Sequence, residues 1–128
     1  MGVRELEGIE KLIDKRFGIR YLRAENGEAE AEMTLREDDR NAYGIPFGGL
    51  LFNLADCAAG AAVRSLELAG MTVSGEARFL RGSKEARRLL ARARVRKAGR
   101  SLCFVDASVE DENGLELAAF SFEFMVRR

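Results

Sequence analysis

The chain contains no histidine. That one absence excludes Ser-His-Asp and Cys-His nucleophilic catalysis, imidazole-ligated zinc and every dehydratase that depends on an imidazole. Cysteine is scarce: Cys57 and Cys103 are too few and too far apart for a disulfide scaffold or a metal site. Excess charge of one sign is missing too, because 21 Lys and Arg balance 21 Asp and Glu, and binding to nucleic acid is not expected. The most apolar stretch, residues 48–63, carries Asp56 at its middle and falls short of the ~20 residues that span a bilayer. The N-terminus mixes charges with apolar side chains and has Leu6 where a myristoylation signal needs Ser or Thr. A cytoplasmic protein without a membrane partner is the expectation. Chemistry is left to carboxylates, hydroxyls, amides and backbone dipoles, with no metal and no cofactor expected.

What is present describes one globular domain over residues 1–128, with 47% hydrophobic and 33% charged side chains. Val3, Leu6, Ile9, Leu12 and Ile13 recur at helical spacing and predict a short amphipathic helix over 3–16. From Phe17 the period falls to two, through Ile19 and Tyr21 and then Ala29, Ala31, Met33 and Leu35, with a hairpin turn at Glu25-Asn26-Gly27. A polar loop over 37–47 holds the chain's single proline, Pro46. A helix from Gly49 to Leu68 follows, apolar nearly all round and therefore buried on most sides, with Gly70 as its stop. Strands are predicted over 72–81, 87–97, 101–110 and 115–126, the last two hairpins turning at 97–100 and 112–114.

Two strands, a buried helix and four more strands imply an α+β architecture: about six antiparallel strands curved around one long helix, plus the short N-terminal helix. Glu28, Glu30 and Glu32 share one strand face, and Arg92, Arg94 and Arg96 share another. Opposite charges across a ladder are worth tenths of a kcal/mol to about 1 kcal/mol each, which predicts that these two strands are neighbours. Phe120, Phe122 and Phe124 alternate as core residues do.

Asp56 stands out because its helical neighbours at three and four positions, Phe52, Asn53, Ala59 and Gly60, include no cation. Burial raises the pKa of an unpaired carboxylate and makes it a base or nucleophile near neutral pH. The alternative is a solvated Asp56, or one paired with Arg64 or a strand arginine. Phe47-Gly48-Gly49 opens the helix and leaves backbone N–H groups facing out of that corner, suited to an oxyanion or simply to a turn. Asn41 could orient a substrate carbonyl or a water, or bond its own loop.

Together these residues form N-x-x-G-x-x-F-G-G-x-x-x-x-L-x-D-x-A-x-G, running Asn41, Gly44, Phe47, Gly48, Gly49, Leu54, Asp56, Ala58 and Gly60. The pattern resembles the hotdog-fold thioesterases of the phenylacetate-degradation, PaaI-like type, in which an Asp stands nine residues after the His of a His-Gly-Gly. Asp56 stands nine residues after Phe47. Thr72-Val73 and Phe79-Leu80-Arg81 also look like the family's strand after the helix.

The resemblance implies a hotdog fold and an acyl-CoA thioesterase. Asp56 would be general base or nucleophile, and the Gly48 N–H would polarise the thioester carbonyl. Asn41 would position water or carbonyl, and Thr72 would supply a hydroxyl near the carboxylate. It further implies a homodimer, commonly a tetramer, whose sites take Asn41 and Gly48 from one chain and Asp56 and Thr72 from the other. Phe47 replaces the family's His; it is expected to shape the acyl or pantetheine channel beside Gly49, while the main-chain donor survives. Arg81, with Lys84, Arg87 and Arg88, could meet the CoA phosphates or form a solvated hairpin. Cys57 reads as a small buried thiol and Glu67 as solvated. The competing readings are a hotdog protein that binds acyl-CoA or an acyl carrier without turnover, and a module that only oligomerises.

Overall fold

The computed structural model describes residues 12–128. The helix expected over 3–16 is seen as α1, Leu12–Phe17; residues 3–11 lie outside the described residues. Strands β1 (Arg20–Glu25) and β2 (Glu28–Thr34) form the first hairpin, with Asn26 and Gly27 both at positive φ as its tight turn requires. A single 3-10 turn, Glu37–Asp39, leads into the loop before α2, Gly48–Arg64. Strands β3 (Ala69–Phe79), β4 (Arg88–Ala98), β5 (Leu102–Asp111) and β6 (Glu116–Arg127) complete the chain.

One six-stranded sheet results, in the order β1-β2-β4-β5-β6-β3, antiparallel at every junction. The predicted neighbours do pair: Glu28 lies opposite Arg94 and Glu30 opposite Arg92. Arg92 reaches Glu30 at 3.3 Å and Glu110 on the next strand at 3.2 Å. These charges occupy the outer face, while the alternate residues Ala29, Ala31, Met33, Leu89, Ala91, Val105 and Val109 are buried in the core.

Helix α2 supplies the other half of that core. It buries Leu50, Leu51, Leu54 and Val63 together with five alanines, Ala55, Ala58, Ala59, Ala61 and Ala62. Alanines on the helix and on β2 and β4 let the sheet close tightly on it. Phe120, Phe122 and Phe124 fill the β6 side, as their alternation foretells.

The far end of α2 departs from expectation. The helix stops at Arg64, not Leu68, and Gly70 is not its stop. Ser65 ends it, donating its hydroxyl to the Ala62 carbonyl at 2.7 Å and accepting the Gly27 N–H at 2.8 Å, which ties the β1–β2 turn to the helix. Glu67 takes the left-handed conformation (φ 61°) that the reversal needs, and Gly70 joins β3, where a Cβ would sit 2.9 Å from Val63. Apolar content continues past Arg64 because the turn itself packs on the core, so composition alone overran the helix end.

Candidate active site

Every fourth residue of α2 from its start, Gly48, Phe52, Asp56 and Gly60, lies on one half-exposed stripe. The first three face β3, the outer strand next to β6. A Cβ on Gly48 would meet the Phe79 ring at 3.1 Å. Phe52 closes over Gly75, whose own Cβ would lie 2.8 Å from the Phe52 ring tip. The Thr72 hydroxyl donates to Asp56 Oδ1 at 2.7 Å.

A β-bulge sets this phase. The β3–β6 register shifts between Thr72 and Ser74, so Thr72 pairs with Phe124 and Gly75 with Phe122. Thr72, Gly75, Ala77 and Phe79 therefore all face the helix, although unbroken alternation would have turned the later ones away. Ser74 and Glu76, unusually polar for this stretch, are consequently exposed on the outer face.

Asp56 is half-exposed in the single chain, not sealed in. Among the described residues no cation pairs with it, Arg64 included. Thr72 holds one carboxylate oxygen, and Oδ2 has no hydrogen-bond partner among the described residues.

At the other end of the stripe, Phe47 caps α2 in an extended conformation (φ −72°, ψ 149°), and its carbonyl accepts the Leu50 and Leu51 N–H groups. Phenylalanine has no side-chain acceptor for the first helical N–H groups. Among the described residues, those of Gly48 and Gly49 are unspent, at the positive end of the helix dipole. The Phe47 ring packs on the core and alongside Gly49.

Asn41 lies in the loop before this corner. Its side-chain oxygen accepts the Tyr43 and Ile45 N–H groups at 2.9 and 3.3 Å, the loop-bonding use weighed for it, and the residue is exposed. Sequence reasoning missed the staple beneath: Arg40 donates to the carbonyls of Gly44, Lys84 and Ala86, fastening the loop to the segment after β3. Arg81 falls past the end of β3, exposed, with its guanidinium on the Glu116 carbonyl at 2.8 Å. Glu67 is exposed, as expected.

A second polar cluster lies under α1. Asp14 is wholly buried and accepts from the Tyr21 hydroxyl at 3.1 Å and the Cys57 thiol at 3.4 Å. Burial, then the nearby Cys57 and Asp14, push the Tyr21 phenol far above its usual value. The Tyr21 and Cys57 contacts of Asp14 come from other elements, so the local sequence does not mark them. Among the described residues no three His, Cys, Asp or Glu side chains gather as a metal would need. None of the described helices is long and apolar enough to cross a membrane.

The structure thus brings Asp56 to Thr72, and Phe47, Gly48 and Gly49 to each other, but separates the two groups. Eight residues of helix place Asp56 roughly 12 Å from the Gly48 N–H.

One long helix wrapped by an antiparallel sheet is the hotdog arrangement, and solved neighbours share that fold. The PaaI protein of the phenylacetic acid degradation operon of E. coli superposes with a TM-score of 0.90 at 26% identity, covering 98% of this chain and 91% of that one. Protein smu.793 of Streptococcus mutans, solved with acetyl-CoA, gives 0.80 at 25% identity over 85% of this chain and 88% of its own. A putative esterase of Deinococcus radiodurans is 32% identical over 105 residues, 81% of this chain and 71% of that protein. The sequence model of the thioesterase superfamily matches residues 43–118. The chain belongs to the thioesterase superfamily and is by that membership a thioester hydrolase.

Proposed function

We propose that the protein hydrolyses acyl-CoA thioesters at sites shared between two copies of the chain. The observation that carries this is Asp56: a carboxylate with no counter-ion among the described residues, steadied on one oxygen by Thr72, on a helix stripe whose other end offers free N–H groups. Because roughly 12 Å separates those two ends within one chain, a single thioester cannot touch both. A symmetric dimer that runs the stripes past each other brings Asp56 of each copy to Gly48 of the other. Met71, Val73 and Leu80, exposed on and just after β3, whose outer edge has no strand beside it, supply an apolar edge for that pairing. We propose the dimer as the minimum unit and a tetramer as the full assembly.

In this site the thioester oxygen accepts the Gly48 N–H. Asp56 Oδ2 takes a proton from water as the water oxygen attacks the carbonyl carbon. The tetrahedral intermediate places its negative charge at the helix N-terminus, then collapses with cleavage of the C–S bond. The departing thiolate recovers the proton from Asp56, giving the free acid and CoA thiol. The acetyl-CoA bound by the S. mutans neighbour supports CoA as the carrier. Arg81 near the exit and the outward amide of Asn41 are the side chains we assign to substrate contact beyond the reacting atoms.

The test is thiol release from acetyl-, hexanoyl-, benzoyl- and palmitoyl-CoA by the wild type and by Asp56→Asn. Loss of a general base lowers kcat by about 10²–10⁴ with the melting temperature held. An Asp56→Asn protein as fast as its parent overturns the mechanism, and tight binding without release favours a carrier protein.

A further inference from the structure

We infer that Phe79 sets the acyl specificity of this site by limiting bulk at the carbons next to the thioester carbonyl. The inference rests on the acyl-CoA reading above and adds to it a residue whose role neither the sequence pattern nor the helix signals.

Phe79 is the last residue of β3 and is 56% exposed, an unusual place for a large aromatic ring. It is nevertheless held. Its ring meets Phe120 edge-on at 6.2 Å between centroids, and Phe120 meets Phe52 edge-on at 5.9 Å. Phe120 is buried, so Phe79 and Phe52 are the two members of this trio that reach the surface, with Phe120 as the floor between them. The tip of the Phe79 ring lies against the first residue of α2: its Cζ, Cε1 and Cε2 atoms would stand 3.1, 3.3 and 3.6 Å from a Cβ on Gly48. Glycine at 48 is what lets the ring come so near.

The donor proposed for the thioester oxygen is therefore walled by aromatic carbon. A carbonyl bonded there brings its α- and β-carbons within van der Waals range of the ring. Pantetheine carries amides that need polar partners, whereas the acyl group is apolar, so the trio suits the acyl side of the thioester. Linear acyl chains pass the ring edge; branching at the α-carbon collides with it.

The test compares butyryl-CoA with isobutyryl-CoA and pivaloyl-CoA, and acetyl-CoA with hexanoyl-CoA, on wild type, Phe79→Leu and Phe79→Ala. Phe79→Ala raises kcat/KM for isobutyryl-CoA relative to butyryl-CoA by about tenfold or more, the scale of one added or removed carbon in an apolar pocket, and Phe79→Leu falls between. The acetyl-to-hexanoyl ratio stays constant, and thermal melts confirm that both variants fold. An unchanged branched-to-linear ratio overturns the assignment. So does a uniform change across all substrates, which places the ring on the pantetheine side or makes it a helix support. Both of those outcomes leave the thioesterase reading intact. A wild-type protein that releases thiol from none of the five overturns this inference, and one that also spares benzoyl- and palmitoyl-CoA overturns that reading with it.

Discussion

Thr72 and Asp56, sixteen positions apart, share a 2.7 Å hydrogen bond between the strand at the sheet edge and the central helix. In the proposed mechanism this hydroxyl fixes which carboxylate oxygen faces the substrate. A hydrogen bond to a charged group is worth about 1.5–3 kcal/mol, so Thr72→Val lowers kcat roughly ten- to a hundredfold. Thr72→Ser keeps the donor and most of the rate. Steady-state kinetics on the two variants check this, with KM nearly unchanged in both; equal rates for the valine and serine variants would contradict it.

Gly48→Pro removes an N–H at the cost of pressing the Phe79 ring, which must give by a few tenths of an ångström before the new Cβ. Gly48 is the first helical residue, where proline is well tolerated, and Phe47 before it already has the extended ψ of 149° that proline demands. Gly48→Pro lowers kcat by about 10²–10³, the cost of one oxyanion donor. Neither Gly48→Pro nor Asp56→Asn is active alone, but each retains what the other lacks. Co-refolding equal amounts rebuilds one intact site in each mixed dimer and returns roughly a quarter of wild-type activity if the sites are shared. No recovery overturns the pairing of Gly48 from one copy with Asp56 from the other.

Two glycines, one on β3 and one on α2, answer the same substitution oppositely. At Gly75 a Cβ would stand 2.8 Å from both the Phe122 and Phe52 rings, so Gly75→Ala overpacks the core and costs about 1–3 kcal/mol. At Gly60, within α2, the nearest atom is Phe124 at 3.9 Å, ordinary contact. Gly60→Ala gains about 0.5–1 kcal/mol from reduced chain entropy. Urea unfolding of the pair measures both signs.

How legible the molecule was in its sequence varies with the range of the interaction. Glu30 and Arg92 announced the β2–β4 pairing because charge and period are local properties that a ladder merely aligns. Asp56 was conspicuous as the one acidic residue in the helix and its one charge before the last turn. Thr72, by contrast, was singled out only through family resemblance, since its contact depends on a bulge at Val73 that no local rule marks. Phe79 read as one more strand residue, because its partner, the bare backbone of Gly48, has no side chain to signal a contact. The helix end was misplaced for a related reason: Glu67 adopts a conformation usually left to glycine, its N–H bonded to the Arg64 carbonyl.

Tyr21 and Asp14 carry a prediction about pH. Burial, reinforced by Cys57 and Asp14, raises the Tyr21 phenol far above its usual value in the folded chain. The fold therefore favours the neutral phenol. That contribution is complete below about pH 10, where the unfolded chain keeps its phenol protonated, and is lost progressively above it as the unfolded phenol ionises first. Tyr21→Phe removes the 3.1 Å hydrogen bond to the buried Asp14 and costs about 1 kcal/mol at neutral pH. It also removes the group that titrates, so its melting temperature falls less steeply between about pH 10 and 12 than that of the wild type. Thermal melts at intervals across that range read both effects. Parallel alkaline slopes in the two proteins would show that the Tyr21 phenol does not resist ionisation as its half-buried hydrogen bond to Asp14 requires.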